Sequence, residues 1–122
     1  MSVTRTREGE LTLFQVRGDP TPHLLLDALR EFLEDPTRLV LWDMRACRFG
    51  RFDPDQLRKA FDGLMRSDHS KRPQRRSAFV CRGEGDCAVV RLLVAYAEAR
   101  HYPADLAVFS NITQARHWLA EG

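Results

Sequence analysis

Residues 39–52 read LVLWDMRACRFGRF, and the fold turns on how this stretch is parsed. Leu39-Val40-Leu41-Trp42 is an unbroken apolar run of strand length. Such runs suit a strand buried on both faces of a central parallel sheet. The run stops on Asp43, and Asp53-Pro54-Asp55-Gln56 then opens a helix. Asp53 is placed to cap it, Pro54 to start it and Gln56 to complete a capping box. Asp43, Arg45 and Cys47 are thereby expected at the carboxyl end of a central strand.

The same alternation extends in both directions. Upstream, Val3–Thr6 and Leu11–Val16 flank a Glu8-Gly9 turn and read as a hairpin, stopped by Gly18-Asp19-Pro20. Thr21 caps and Pro22 starts a helix with Leu25, Leu29, Phe32 and Leu33 on one face, ending near Asp35-Pro36. Downstream, the helix after Asp53 shows an apolar stripe of Leu57, Ala60, Phe61, Leu64 and Met65. A polar loop over 66–76 leads into a buried strand, Ala78–Cys81. Gly83-Glu84-Gly85-Asp86 breaks that strand, and Asp86 is placed to cap a third helix turning Val89, Val90, Leu93, Val94 and Ala97 inward. His101-Tyr102-Pro103 ends it, Leu106–Phe109 is the last strand, and Asn111 caps a final helix. Alternating strands and helices imply an open α/β sheet of about five strands with about four helices and right-handed crossovers. Loops at the carboxyl edge of its parallel strands are the expected ligand site.

The chain of 122 residues reads as one domain, 1–122, with enough apolar residues for a core that needs neither metal nor disulfide. A net charge of +2 gives no argument for nucleic acid. The longest uncharged stretch, Leu106–Ala115, is half the length of a membrane span. MSVTRTREGE lacks a signal-peptide core, and three cysteines, Cys47, Cys81 and Cys87, are an odd number at low density. They read as reduced thiols in a cytoplasm.

With these elements in place, the chain resembles the STAS-like fold of anti-sigma-factor antagonists, and more closely the small bacterial proteins called SpoIIAA-like or STAS/SEC14-like. Gly18–Thr21, LVLWDMR at 39–45, Ser77–Cys81 and VFSNITQARHWL at 108–119 carry the resemblance. It implies a five-stranded sheet packed by helices. It implies no reaction, since proteins of this fold include phosphorylation-switched partner-binding domains and lipid carriers. The phosphorylatable Ser of the antagonists, which follows the Asp ending the corresponding strand, has no counterpart, because Met44-Arg45-Ala46-Cys47 stands there. Ser67 and Ser70 lie beyond the next helix and do not replace it.

The candidate chemistry clusters at the carboxyl edge. Arg45 can bind an anion with Asp43 orienting it, or the two can simply pair. Cys47 lies between Arg45 and Arg48, surroundings that favour a thiolate, but no histidine is near in sequence to act as a base. RACRFGRF interleaves arginines with Phe49 and Phe52; exposed, that mixture suits a protein interface or an anionic amphiphile, and buried, the rings staple loop and helix to the core. Gly83 and Gly85 form a glycine turn before a helix, without the spacing of a nucleotide motif and with Glu84 and Asp86 repelling anions. Cys81 and Cys87 have neither redox nor zinc spacing, and Cys81 reads as inert core. His23, His69, His101 and His117 have no ligand spacing, so no metal or cofactor is expected. The 66–76 loop carries a net charge of +4 with no aromatic for base stacking, and reads as a solvated loop or an acidic-partner patch at the amino edge.

Two functions follow. The first is a non-enzymatic binding module acting on a protein partner through the Asp43–Phe52 and Gly83–Cys87 loops. The alternative is a carrier of a small amphiphilic ligand or lipid in a pocket under those loops. A homodimer is compatible with either.

Overall fold

The computed structural model describes residues 1–66 and 75–121. Its elements follow the chain as β1 (Ser2–Glu8), β2 (Leu11–Gly18), α1 (Pro22–Glu34), β3 (Leu39–Cys47), α2 (Pro54–Arg66), β4 (Arg76–Val80), α3 (Glu84–Ala99), β5 (Asp105–Phe109) and α4 (Ile112–Glu121). The five strands form one mixed sheet, with β1 antiparallel to β2 and the rest parallel. This is the α/β architecture expected from the sequence.

The strand order is β1-β2-β3-β4-β5, the order of synthesis. Each crossover steps in one direction and is right-handed, so α1, α2 and α3 must all fall on one face. The core divides accordingly. Phe14, Val40, Trp42 and Met44 face the three crossover helices with Leu25, Phe32 and Val90. Leu39, Leu41, Ala78 and Val80 face the other way and are covered by Ala115 and Leu119 of α4. On the three-helix face Trp42 stacks on Phe14, with ring centroids 4.1 Å apart, and lies parallel to Phe79 at 6.4 Å. Phe14 is also edge-on to Phe32 of α1.

Local signals explain most boundaries. Thr21 Oγ1 accepts from the Leu24 N–H with Pro22 at the first helical position, and Asn111 Oδ1 accepts from the Gln114 N–H. Asp53 Oδ1 accepts from the Asp55 N–H at the start of α2. At the far end of α3 the N–H of His101 bonds Glu98 O and that of Tyr102 bonds Ala97 O, with His101 at φ 56°. These paired bonds are a Schellman stop, with histidine where glycine is usual.

Four expectations change. β3 does not end at Asp43 but runs to Cys47, because its second half still pairs with β2 after a bulge. β4 leaves β3 at Asp43, so only β2 borders the last four residues. Asp86 does not cap α3; Gly83 holds that position at φ 81° and ψ 150°, a conformation essentially restricted to glycine. On α2, Ala60 is exposed and Arg58 is half-buried, turned toward the sheet beside Leu57. Finally, Cys81 and Cys87 are not free thiols but a disulfide, their Cα atoms 5.4 Å apart. The Gly83 turn folds the first turn of α3 back over the end of β4, a proximity that the five intervening residues do not advertise. Of the basic loop, residues 67–74 lie outside the described residues, as do Ser67, His69 and Ser70. Arg76, at its end, stacks its guanidinium 4.7 Å above the Trp118 ring and donates to the Trp118 carbonyl.

Candidate functional site

Asp43 and Arg45 form the centre of the carboxyl edge. Both lie on the α4 face of β3, beyond the reach of α4 itself. Arg45 Nε and Nη2 donate to the two carboxylate oxygens of Asp43, each at 2.9 Å, and the Arg45 N–H adds a third bond at 3.2 Å. The fork geometry matches the carboxylate. The Arg45 guanidinium holds the Asp43 carboxyl below its ordinary range despite burial, with Arg17 adding a smaller effect through space. Arg45 is in turn held protonated by Asp43.

An open cleft of about 370 Å³ surrounds this pair, lined by Gln15, Arg17, Asp43, Arg45 and Arg82. It exists because β4 is shorter than β3 and because one helix cannot cover the whole face. Arg17 and Arg82 make no ion pair among the described residues. Three guanidiniums thus surround one carboxylate. Neither Arg17 nor Arg82 stood out in the sequence, since each is an isolated cation at a strand end whose neighbour is set by sheet order.

The other proposed site residues divide. Cys47, Phe49 and Phe52 are buried. The two rings meet edge to face at 5.4 Å, stapling loop to core. Cys47 donates to the Val16 carbonyl, and burial first, then Asp43 and Asp86, push its thiol up to about 12. The thiolate-friendly reading of Cys47 is therefore wrong: burial dominates, Arg45 is tied to Asp43, and Arg48 is exposed. Arg48 is exposed, tied by its N–H to the Gly18 carbonyl. Gly83 and Gly85 are exposed in the turn and first turn of α3. Asp86 accepts from the Phe49 N–H at 2.9 Å and so joins the two loops. The space beneath them is filled by Cys47, Phe49, Phe52, Cys81 and Cys87. A sheet whose strand order never reverses has no crevice between diverging crossovers, and the general rule for carboxyl-edge ligands depends on that reversal.

The apolar cavity lies elsewhere, between the three-helix face and α2 and α3. It measures about 100 Å³ and is lined mainly by Leu, Phe, Val and Trp side chains, with Arg58, Ser77, Tyr96 and Tyr102 the polar members. The Schellman stop delivers Tyr102 to it, where burial raises the phenol pKa. Arg100, from the same turn, pairs with Asp62 and clamps α3 to α2. Among the described residues no group of three or more His, Cys, Asp or Glu could hold a metal ion, and no helix is long and apolar enough to cross a membrane.

This geometry defines a STAS/SpoIIAA-like fold, and solved structures agree. An anti-sigma factor antagonist from Mycobacterium paratuberculosis superposes with a TM-score of 0.63 at 11% identity, covering 98% of this chain and 93% of that one. An uncharacterized DUF3478-family protein with a SpoIIAA-like fold, from Shewanella loihica, gives 0.54 at 18% identity, covering 97% and 92%. No family model and no curated protein sequence matches the chain.

Proposed function

We propose that this chain is a non-enzymatic, STAS-like regulatory module, acting as one domain over residues 1–122, that docks an acidic segment of a protein partner in the Arg17–Arg45–Arg82 cleft. The observation that carries this reading is the excess of guanidinium over carboxylate in an open cleft next to the welded carboxyl-edge loops. Arginine forks are suited to carboxylate-bearing partners, and two of the three here have no internal claim on them. The neighbouring fold of an anti-sigma factor antagonist is compatible with a protein partner. A catalytic role for Cys47 has no support, since its thiol is buried and stays protonated at neutral pH. Without a hydroxyl between Asp43 and α2, control by phosphorylation at that position is not part of the proposal.

The lipid-carrier alternative is less well supported. Pockets for drug-sized ligands run to roughly 300–1,000 Å³, and the apolar cavity is about 100 Å³. The cytoplasmic location expected from the sequence rests partly on reduced thiols, and the Cys81–Cys87 bridge removes that support.

Native mass spectrometry of the protein gently isolated from its source cells tests the proposal. A second polypeptide is expected with the wild type, released by high salt because exposed charge pairs are screened, and absent from an Arg17→Glu/Arg82→Glu variant. The same partner retained by the double reversal would place the docking surface elsewhere. A mass matching two copies of the chain would replace the partner reading by the homodimer.

A further inference from the structure

Helix α3 has an outer face that the fold of one chain leaves unused. Between Asp86 and Glu98 its single charge is Arg91. The core takes Cys87, Val90 and Val94, yet Ala88, Leu92, Ala95 and Ala99 on the solvent side are apolar as well. Leu92 is 40% exposed, one of three large apolar side chains so placed among the described residues. A helix that is apolar all round is normally covered all round. From Ala88 to Ala99 the steps are four, three and four residues, the seam that one helix offers another. Glu84, Arg91 and Glu98 recur every seven residues and therefore run along one flank of that seam. α1 and α2 answer charges within the helix, Asp27 with His23 and Arg30, and Asp55 with Arg58. Arg91 has only Cys87, Ala88, Val94 and Ala95 at those spacings. Neither Arg91 nor Glu98 makes an ion pair among the described residues.

Seam and flank are together self-complementary. An antiparallel second copy of α3, set with its Ala95 over Leu92, also sets its Ala99 over Ala88 and its Glu98 beside Arg91. The two-fold axis repeats each contact, as a closed pair requires. The alanines let the helix axes approach to about 8 Å, the near end of the usual range. We propose that the outer face of α3 docks the same face of a second copy of this chain, antiparallel, with Arg91 of each copy paired to Glu98 of the other. An anionic membrane suits the face less well, because the flank carries two carboxylates for one guanidinium. One helix from each copy buries less than a standard interface of about 1,600 Å², so the pair is weak, with a dissociation constant of about 0.1 mM. α3 packs on the face of the sheet opposite the arginine cleft. Pairing therefore leaves both clefts open, and failure of either reading leaves the other standing.

The test is sedimentation velocity of the full chain from about 10 µM to about 1 mM. The wild type is expected to pass from one copy to two across that range. Arg91→Glu sets like charges side by side and should weaken the pair at least about tenfold. Arg91→Glu/Glu98→Arg exchanges the charges and should restore it to within about threefold. Leu92→Asp should abolish it through the seam rather than the flank. All three positions are exposed, where substitution leaves the fold intact. Arg17→Glu/Arg82→Glu should leave the pair unchanged. At the micromolar concentrations of native mass spectrometry a pair this weak is dissociated, so a two-copy mass seen there reports a different contact. A wild type that stays single at about 1 mM, undiminished pairing in Arg91→Glu or Leu92→Asp, a charge exchange that fails to restore it, or a pair dissolved by the cleft reversals each overturns the proposal.

Discussion

The two faces of the sheet each hold an arginine in a concavity, and the two arginines are treated in opposite ways. On the α4 face Arg45 lies in an open cleft, and the Nε–Nη2 edge of its guanidinium is matched by the two oxygens of Asp43. On the three-helix face Arg58 lines a mainly apolar cavity, and its Nε meets no protein acceptor among the described residues. Water can hydrate whatever Asp43 leaves unsatisfied in the cleft, whereas the cavity beside Arg58 is mainly apolar, with Ser77, Tyr96 and Tyr102 its other polar members. The lesson is that the number of charges in a concavity says less than whether each is already answered. The cleft carries surplus positive charge, and the cavity wall carries one donor without an acceptor among the described residues.

The contrast can be broken first by emptying the crowded face. Phe14→Ala removes a ring that stacks on Trp42 and meets Phe32 at its edge, and should cost about 4 kcal/mol in urea unfolding. A loss below about 1 kcal/mol would mean that the three-helix face is not tightly packed. The carboxyl edge should respond next. Opening the Cys81–Cys87 bridge with dithiothreitol should cost about 2 kcal/mol from its short closed loop. Cys47 should resist iodoacetamide at neutral pH in the folded protein, oxidised or reduced, since its thiol is pushed up to about 12. Rapid native labelling at Cys47 would show that the loop above it opens.

Asp43→Asn sharpens the comparison on the wet face. It keeps the shape and removes the charge that Arg45 embraces, and should cost about 1–2 kcal/mol at neutral pH. The folded-state pKa of Asp43 is depressed, so the carboxylate contributes fully above its unfolded value of 3.8 and loses that contribution as pH falls through the folded value. Wild-type and Asp43→Asn stabilities measured against pH should therefore converge only on the acid side of 3.8. Curves that stay parallel there would show that the pair is not what Asp43 contributes. The smallest effect is expected at His101. Glycine adopts its positive φ without strain, so His101→Gly should stabilise the Schellman stop by about 0.5–1 kcal/mol in thermal melts. A destabilised variant would mean that the imidazole makes a contact that outweighs its backbone strain.

Element order and type were legible because each rests on local chemistry. The apolar run at Leu39–Trp42, the caps at Thr21, Asp53 and Asn111, and the Gly83 break all act within a few residues. The pairing of Asp43 with Arg45 was legible for the same reason, as two residues on one face of a strand. What was not legible depends on neighbours distant in sequence. The second half of β3, MRAC, does not read as a buried strand because its outward residues face a cleft that α4 leaves uncovered. Sheet order decides whether the carboxyl edge has a crevice, and nothing in LVLWDMRACRFGRF encodes it. Arg17 and Arg82 meet only through the β2, β3 and β4 alignment. Arg58 left a fainter signal. It sits three residues before Phe61 and seven before Met65, inside the helical period of the apolar stripe, and a cation there is the mark of a charge turned inward.

The unreversed strand order also bears on how the molecule comes into being. Every strand pairs with the one synthesised just before it, so the sheet can lengthen at its growing edge, one strand and helix at a time, without inserting a segment between strands already paired. The three-helix face closes progressively along the way, each crossover covering its own strand. The opposite face does not. Leu39, Leu41, Ala78 and Val80 are in place long before Ala115 and Leu119 reach them. A nascent chain halted before Asn111 thus displays a flat apolar stripe on a half-built sheet, the kind of surface on which chaperones and aggregation compete.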